Sequence, residues 1–260
     1  MLQYYCVVSN ISTNLAKAGG NLHYLPQCQS TNDELAQLLA NVNNQISNGF
    51  VLITDHQTHG RGQRGNRWES EVGKNLTFSL AWFPSFLEAR HSFWLSAAVS
   101  LAVVSTLKPL FPDCQVKWPN DIYCKGKKLG GILIENTVVG MNMDRSIIGI
   151  GLNVNQQNLP KNATSLCLEL NSEVNRVEIL NQIRTQIPIW INRLEQDGWQ
   201  KIRSSYYQNL YLMARPHDYV LPDGTPFRAV LKGISDSGHL ILITPTGEQH
   251  FAFKEVSFRL

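Results

Sequence analysis

Apolar residues recur at helical spacing in three parts of the chain, and each part predicts a helix. The first helix is predicted to begin at Ser30, which has capping-box spacing to Asp33 and precedes a stripe of leucines. Apolar residues occupy most of Phe93–Leu107, which predicts a second, buried helix. Isoleucine and leucine repeat on one face over residues 177–196 and predict a third, in which Pro188 should introduce a kink.

Shorter apolar runs between these helices predict strands. Residues 50–54 have the pattern of a buried strand, and Leu76–Trp82 alternates with period two, as in a strand with one covered face. Three further strands are predicted near residues 115–118, 130–139 and 145–155. Because strand-like and helix-like segments alternate, the core is predicted to be of the α/β or α+β class.

The pattern changes after Tyr211, where turn-forming residues recur roughly every ten positions without a helix between them. The β-rich runs between these turns are residues 218–221, 227–234, 239–243 and 249–253. Short strands at such regular spacing are typical of a small antiparallel barrel. We therefore expect two domains, one over residues 1–211 and a small β-barrel over residues 212–260.

The composition indicates a globular protein with nearly balanced charge. The 260 residues include 23 Lys and Arg against 20 Asp and Glu, which leaves a net charge of +3. So small a charge excludes a chain-wide electrostatic surface for nucleic acid or anionic membrane, and any strong positive field must be local. The apolar stretch around Phe93–Leu107 is too short and too rich in Ser and Thr to span a bilayer.

Cysteine and histidine usage argues against a structural metal or a disulfide framework. The five cysteines are odd in number and include no C-x-x-C pair. His56 and His59 have no further His or Cys nearby at ligand spacing, so we interpret them as loop histidines. The first ten residues do not resemble a secretory signal. Reduced thiols and no signal together predict a cytoplasmic protein.

The segment from His59 to Trp68 has the most informative pattern, with three glycines, three arginines and a tryptophan in ten residues. Glycine lets the backbone approach a ligand, arginine clamps carboxylate or phosphate, and tryptophan packs on a planar group. We predict a loop that closes over a planar, anionic ligand; a solvated basic loop is the alternative. Gly60, Gly62 and Gly65 match the dinucleotide fingerprint, but no helical pattern follows, so we reject that interpretation.

A second motif runs from Lys117 to Asp121 and reads Lys-Trp-Pro-Asn-Asp. Pro119 removes a backbone donor and should end a strand there. Asn120 and Asp121 are then expected at an exposed strand end, where polar groups can face a ligand. The alternative is a plain β-hairpin with a basic turn.

Two glycine-containing strands complete the set of candidate motifs. Lys128 comes just before a strand that has Gly131 near its start, and Gly149 and Gly151 lie inside the last predicted strand, before Asn153. Glycine weakens a strand unless another group must approach closely. The motifs therefore indicate either close approach of a ligand or a bulge in the sheet.

In this order and at these separations, the motifs resemble those of the biotin protein ligases. The segments that carry the resemblance are Ser30-Thr31-Asn32, Gly60-Arg61-Gly62 with Arg64-Gly65 before Trp68, Lys117-Trp118-Pro119-Asn120-Asp121, Lys128-Leu129 to Glu135, and Gly149 to Asn153. The resemblance covers about residues 22–200. It implies an α+β fold, in which a mixed β-sheet has helices on its faces and a small C-terminal antiparallel β-barrel follows.

The resemblance implies a ligase that works in two steps. Biotin is activated with ATP to biotinyl-5′-AMP, and biotin then passes to a lysine of the biotin carboxyl carrier domain of a carboxylase. The expected substrates are ATP and biotin, with Mg²⁺ carried in on ATP and no dedicated metal site in the protein. Family members often pair through sheet edges, so a homodimer is considered.

Some family members also carry an N-terminal helix-turn-helix domain and repress transcription. Only 29 residues precede Ser30, too few for such a domain. We therefore expect the form without a DNA-binding domain, with no DNA and no membrane partner.

The resemblance also implies roles for individual residues. Arg61 and Lys128 are expected to clamp the carboxylate and the α-phosphate, as the catalytic residues. The residues expected to bind biotin are Ser30, Thr31, Asn32, Gln57, Arg61, Gly62, Gln63, Lys128 and Gly131. Those expected to bind ATP are Arg61, Arg64, Trp68, Lys117, Asn120 and Asn153.

The arginine-rich loop departs from the family pattern at two positions. The family commonly reads Gly-Arg-Gly-Arg-Arg-Gly-Arg, where this chain has Gln63 and Asn66 in place of arginine. Losing two cations should weaken the hold on phosphate. We hypothesise that the adenylate escapes more readily, or that Arg64 and Arg67 compensate.

Two other functions fit parts of the pattern. A lipoate–protein ligase shares the core architecture, but the flexible lipoyl chain has no ureido group and would not need the Ser-Thr-Asn set. A non-catalytic sensor of biotin or adenylate could use the C-terminal barrel as an interaction module. The presence of both Arg61 and Lys128 argues against a sensor.

Overall fold

The structure, a computed structural model, describes residues 21–41 and 46–259. The first ten residues, on which the expectation of no secretory signal rests, lie outside these ranges. The helices are α1 (Thr31–Asn41), α2 (Phe93–Leu107), α3 (Leu166–Leu170), α4 (Arg176–Asp197) and α5 (Trp199–Gln208). The strands are β1 (Leu22–Cys28), β2 (Val51–Gln57), β3 (Leu76–Trp82), β4 (Gln115–Lys117), β5 (Asp121–Cys124), β6 (Lys127–Val139), β7 (Asn142–Leu152), β8 (Pro216–Val220), β9 (Pro226–Ile234), β10 (Leu240–Thr244), β11 (Gly247–Phe251) and β12 (Ser257–Phe258).

The first seven strands form one mixed sheet in the order β1-β2-β3-β7-β6-β5-β4. Only β1 and β2 pair in parallel, and the other neighbours are antiparallel. Because β5 is short, it pairs only with the first residues of β6, Lys127 to Gly131, and β4 pairs in turn with β5. The mixed sheet confirms the predicted α+β class.

Helices cover both faces of this sheet. Successive side chains of a strand point to opposite faces, and apolar residues on both faces need to be covered. On one face α1 packs through Leu35 against Leu52, Ala81 and Ile147. On the other face, neighbouring strand residues such as Val51 join the larger core with α2, α4 and α5. Helix α2 is apolar on all sides because it is buried between the sheet and α4. None of the helices described is both long and apolar enough to cross a membrane.

The sequence predictions locate most elements and miss five. Helix α2 has the predicted bounds, and α4 continues past Pro188 to end at Gly198, where φ is 78°. Strand β1 lies at the edge of the sheet, and its buried and exposed residues do not alternate. It was therefore not predicted. Strands β5 and β12 and helices α3 and α5 were also missed, since they are two to ten residues long and too short for a clear periodic pattern.

The C-terminal strands form a second, antiparallel sheet in the order β11-β10-β9-β8-β12. The predicted β-rich, helix-free segment is confirmed as an antiparallel sheet, which does not close into a barrel among the described residues. Strand β12 is only two residues long and pairs with β8, and no ladder joins it to β11 within the described residues. The sheet therefore stays open at these two strands.

One turn of the second sheet is held by two tryptophans from the part of the chain that forms the first sheet and its helices. Trp94 in α2 donates its indole N–H to the carbonyl of Asp236 at 3.0 Å. Trp118 donates in the same way to the carbonyl of Gly238 at 2.9 Å. Gly238 has φ of 90°, and an added Cβ would lie 2.6 Å from Phe93. This contact fixes the second sheet beside the Lys117–Asp121 motif.

A buried ion pair ties α4 to the edge of the first sheet. Arg176 Nη1 lies 2.9 Å from Asp55 Oδ1, and both side chains are 8% exposed. The same Nη1 donates to the carbonyl of Asn75 at 3.0 Å, and Tyr24 donates its hydroxyl to Asp55 at 2.7 Å. Burial and the neighbouring Asp55 raise the pKa of Tyr24, which therefore stays a donor. The charges are thus compensated within the core.

Replacing Arg176 by alanine should destabilise the fold by about 3–5 kcal/mol, because the Asp55 carboxylate would stay buried without its cation. Urea unfolding measures this free energy. The matched control is Arg228→Ala, which breaks the exposed pair with Asp218 and should cost less than about 1 kcal/mol. Equal losses in the two variants would contradict the argument.

Candidate functional site

A cavity of about 250 Å³ opens between α1, the loop of residues 60–68, and strands β5, β6 and β7. The second sheet also contributes to its wall through β12. The predicted site residues that line it are Ser30, Thr31, Asn32, Gln57, Arg61, Gly62, Gln63, Trp68, Lys117, Asn120, Lys128 and Gly131. Motifs that are far apart in sequence therefore meet at one place.

One end of the cavity is formed by polar side chains at the start of α1. Ser30, Thr31 and Asn32 are all nearly buried, at 2 to 3% exposure. The amide oxygen of Gln57 accepts from the backbone N–H of Thr31 at 2.7 Å and from its hydroxyl at 3.1 Å. The buried hydroxyl of Ser79 lies 2.7 Å from Thr31 Oγ1 and 2.6 Å from Asn32 Oδ1. These contacts preorganise the polar groups before any ligand binds.

The arginine-rich loop folds back on itself as a short hairpin. Gly62 donates its N–H to the carbonyl of Asn66 at 2.7 Å, and Trp68 donates to the carbonyl of Gly60 at 3.0 Å. A single 3₁₀ turn lies between them, and the chain then continues to β3 without an α-helix. The rejection of the dinucleotide fingerprint is therefore confirmed.

The strand glycines are explained by two side chains that lie directly on them. A Cβ added at Gly149 would overlap the Asn32 amide, and one added at Gly151 would overlap the Trp68 indole. Close approach was the predicted reason for these glycines. The approaching groups are the protein's own side chains, which the glycines allow to lie flat on β7.

Arg61 projects from the loop and is held by two carboxylates. Its Nη2 donates to Asp33 Oδ1 at 2.6 Å and to Glu135 Oε2 at 2.8 Å. Burial lowers the pKa of Arg61, but the carboxylates of Glu135 and Asp33 outweigh burial and raise that pKa above its ordinary value. The guanidinium is therefore charged and oriented at the cavity wall.

Two lysines bring further positive charge to the same cavity. Lys128 Nζ lies 2.6 Å from Asp121 Oδ1. Lys117 Nζ lies 5.0 Å from the centre of the Tyr123 ring and 4.9 Å from that of Phe258. Burial lowers the pKa of Lys117, an effect that Asp121 opposes and Lys128 reinforces. Three cations from three segments thus converge on one space, which suits an anionic ligand.

Two buried polar atoms at the cavity have no hydrogen-bond partner among the described residues. They are the amide oxygen of Gln63 and the indole Nε1 of Trp68. Buried polar groups in folded proteins are nearly always paired, so each such atom calls for an explanation. One acceptor and one donor at the cavity wall are free to bind a ligand.

Two predicted residues are not among the described side chains of the cavity wall, for different reasons. The side chain of Asn153 is 5% exposed and donates its amide to the carbonyl of Thr164 at 3.0 Å, so here it anchors the loop before α3. The side chain of Arg64 lies outside the described part of the structure. Asn120 does line the cavity, while its amide donates to the carbonyl of Ile132.

Sequence reasoning missed several residues of the site. Ser79 and Glu135 connect the predicted residues to one another, and a polar residue inside an apolar strand was the signal for Ser79. Ser257 and Phe258 line the cavity from the second sheet, which no local pattern indicates. Among the described residues, no group of three or more His, Cys, Asp or Glu side chains could hold a metal ion.

Comparison with known proteins identifies the family to which this chain belongs. The family model described as the biotin/lipoate A/B protein ligase family matches residues 24–153. The bifunctional ligase/repressor BirA of Bacillus subtilis is 35% identical over 234 residues, which cover 86% of this chain and 68% of that protein. The biotin–[acetyl-CoA-carboxylase] ligase of Mycobacterium tuberculosis is 29% identical, over 90% of this chain and 88% of that protein.

Solved structures agree with the sequence comparisons. A biotin protein ligase from Aquifex aeolicus in complex with biotin and ATP superposes with a TM-score of 0.75 at 26% identity. The match covers 93% of this chain and 99% of that one. A biotin protein ligase from Leishmania major, in complex with biotinyl-5-AMP, shares the fold at 22% identity and a TM-score of 0.63. The chain described here belongs to the biotin/lipoate A/B protein ligase family.

Proposed function

We propose that this protein is an ATP-dependent biotin–protein ligase, which forms biotinyl-5′-AMP and transfers biotin to a lysine of a biotin carboxyl carrier domain. The observation that carries the proposal is the convergence of Arg61, Lys128 and Lys117 on one cavity beside the polar start of α1. The relatives whose names specify biotin ligation extend over most of the chain. They favour biotin over lipoate.

The polar end of the cavity suits the neutral ureido ring of biotin. A ureido group needs both donors and acceptors in an otherwise apolar pocket. Ser30 and Thr31 offer hydroxyls, and Asn32 and Gln57 offer amides. Gly62 and Gly131 let the backbone approach the ligand, and the unpaired amide oxygen of Gln63 adds an acceptor. We assign these residues to biotin.

The cationic side of the cavity suits the first chemical step. The biotin carboxylate attacks the α-phosphorus of ATP, and the bond from this phosphorus to the bridging oxygen breaks as pyrophosphate leaves. Two anions must be brought together against their repulsion, and preorganised cations in a water-poor site lower that cost. Arg61 and Lys128 are assigned to the carboxylate and α-phosphate. Lys117, Asn120 and Trp68 are assigned to the nucleotide.

Magnesium is proposed to enter as the complex with ATP. Mg²⁺ prefers oxygen ligands and keeps several waters when it is bound through phosphates. The triphosphate and water would supply most of its ligands, with the Asp121 carboxylate at the cavity as an oxygen donor of the right type. Bound there, the ion would neutralise charge on the phosphates.

In the second step the acceptor lysine amine attacks the carbonyl carbon of the mixed anhydride. An amide bond forms, AMP leaves with the electron pair of the broken C–O bond, and the amine loses a proton. We propose that residues 1–211 form the catalytic domain and residues 212–260 a second domain, a division supported by the change of sheet between α5 and β8.

Cellular context and assembly are further proposals. We place the enzyme in the cytoplasm, where ATP is held, and the cysteines of the described residues are free and buried. A homodimer is supported by the outer edge of β6 beyond Ile132, which pairs with no strand among the described residues, and by Val139 and Met141 at the β6–β7 turn, which are 67% and 77% exposed. The absence of operator binding stays a prediction, which tight binding to biotin-operon DNA would contradict.

The decisive experiment measures biotin-dependent ATP–pyrophosphate exchange and transfer of labelled biotin to a carrier domain. Lys128→Ala should reduce exchange by about 10²–10³-fold, as expected for one lost electrostatic contact in the transition state. The matched control is Lys127→Ala, which removes the neighbouring, exposed lysine outside the cavity and should retain activity. Exchange that requires lipoate would identify the alternative ligase, and biotin binding without exchange would identify a sensor.

Gln63→Arg should slow release of biotinyl-5′-AMP by about tenfold, because a charge-assisted hydrogen bond to phosphate would be added. Release is followed after rapid mixing of enzyme-bound, labelled adenylate with an excess of unlabelled ligand. If the variant releases adenylate at the wild-type rate, the hypothesis of a leaky loop fails and compensation by the neighbouring arginines is favoured.

A further inference from the structure

Among the described residues, Glu135 is the one carboxylate that contacts side chains at both ends of the cavity. Its Oε2 accepts from the amide of Asn32 at 2.7 Å and from Nη2 of Arg61 at 2.8 Å. Asn32 belongs to the polar start of α1, whereas Arg61 belongs to the loop. A single oxygen atom therefore joins the two segments assigned to biotin recognition and to the anion clamp.

The register of β6 explains why Glu135 reaches this position. Alternate residues of a strand face the same side of the sheet. Gly131 and Leu133 line the cavity, and Glu135 is the next residue on that face. Its partner across the sheet is Ile147 of β7, so the carboxylate stands on a strand that is paired with β7 on both sides of this position. A rigid strand thus supports the mobile end of a long arginine side chain.

Holding Arg61 in this way leaves most of its donors free for a ligand. Both carboxylate contacts, to Asp33 and Glu135, use the single nitrogen Nη2. The guanidinium has five N–H donors in a planar fork, so those on Nη1 and Nε are not used by these contacts. Fixing one corner of the plane therefore orients the remaining donors without consuming them.

We propose that Glu135 is a positioning residue that fixes the Arg61 guanidinium and the Asn32 amide together. The inference rests on the proposed function and adds a residue to which no substrate contact is assigned. Asp33 provides the matched comparison, because it also pairs with Arg61 through a carboxylate. No hydrogen bond from Asp33 to Asn32 occurs within the part of the chain that the structure describes.

The experiment compares Glu135→Gln, Glu135→Ala and Asp33→Asn in biotin-dependent ATP–pyrophosphate exchange. In Glu135→Gln the amide oxygen still accepts from Asn32, but the charge that holds Arg61 is lost. We expect kcat to fall about tenfold while KM for biotin changes less than about twofold. Glu135→Ala also removes the Asn32 acceptor, so KM for biotin should rise by about tenfold as well. Asp33→Asn should lower kcat less than Glu135→Gln and leave KM for biotin near the wild-type value.

A merely structural role would lower the melting temperature and reduce activity without separating kcat from KM. Variants that show this pattern, or a Glu135→Gln variant with unchanged or increased kcat, would overturn the proposal. Wild-type protein that gives no biotin-dependent exchange would instead overturn the proposed function, and the inference with it. Thermal unfolding of each variant, followed by circular dichroism, separates loss of folding from loss of positioning.

Discussion

The structure depends on holding several positive side chains close together around one cavity. Each cation has its own partners, which offset the repulsion between the cations. Arg61 is paired with two carboxylates, Lys128 with Asp121, and Lys117 lies between two aromatic rings. Because the counter-charges come from α1, β5 and β6, the fold must be complete before the site exists. An anionic ligand can then bind without reorganising the protein around it.

The second sheet is part of this arrangement rather than an appendage. Phe258 covers Lys117 from the C-terminal strand, and the Trp118 indole next to Lys117 holds the turn that ends at Gly238. Lys117 therefore depends on packing between two sheets whose strands are distant in sequence. This packing explains why burial is the largest influence on the pKa of Lys117, which it lowers.

Sequence reasoning located residues whose chemistry follows from local motifs. The glycines of β7, the arginine-rich loop and the Lys117–Asp121 motif each carry a local signal, and the structure brings them to one cavity. Phe258 could not be found in this way, because its contact with Lys117 joins segments that are distant in sequence. Ser79 left one local signal, a polar residue inside an apolar strand, but its contacts with Thr31 and Asn32 appear only in the folded structure. Asn153 shows the converse problem. Its residue type and position predicted a contact with ATP, but in the structure its amide anchors a loop through the carbonyl of Thr164. The C-terminal strands form the predicted antiparallel sheet, and local patterns could not show that β12 pairs with β8 and leaves that sheet open.

Arg61 and Lys128 are proposed to act together on the carboxylate and the α-phosphate, which the first step joins in one mixed anhydride. A double-mutant cycle tests this joint action most directly, with calorimetric binding of a non-hydrolysable biotinyl-5′-AMP analogue to wild type, Arg61→Ala, Lys128→Ala and the double variant. The account predicts non-additive losses, with a coupling energy of about 0.5–3 kcal/mol. Losses that add to within about 0.3 kcal/mol would mean that the two side chains act independently, and would contradict the account.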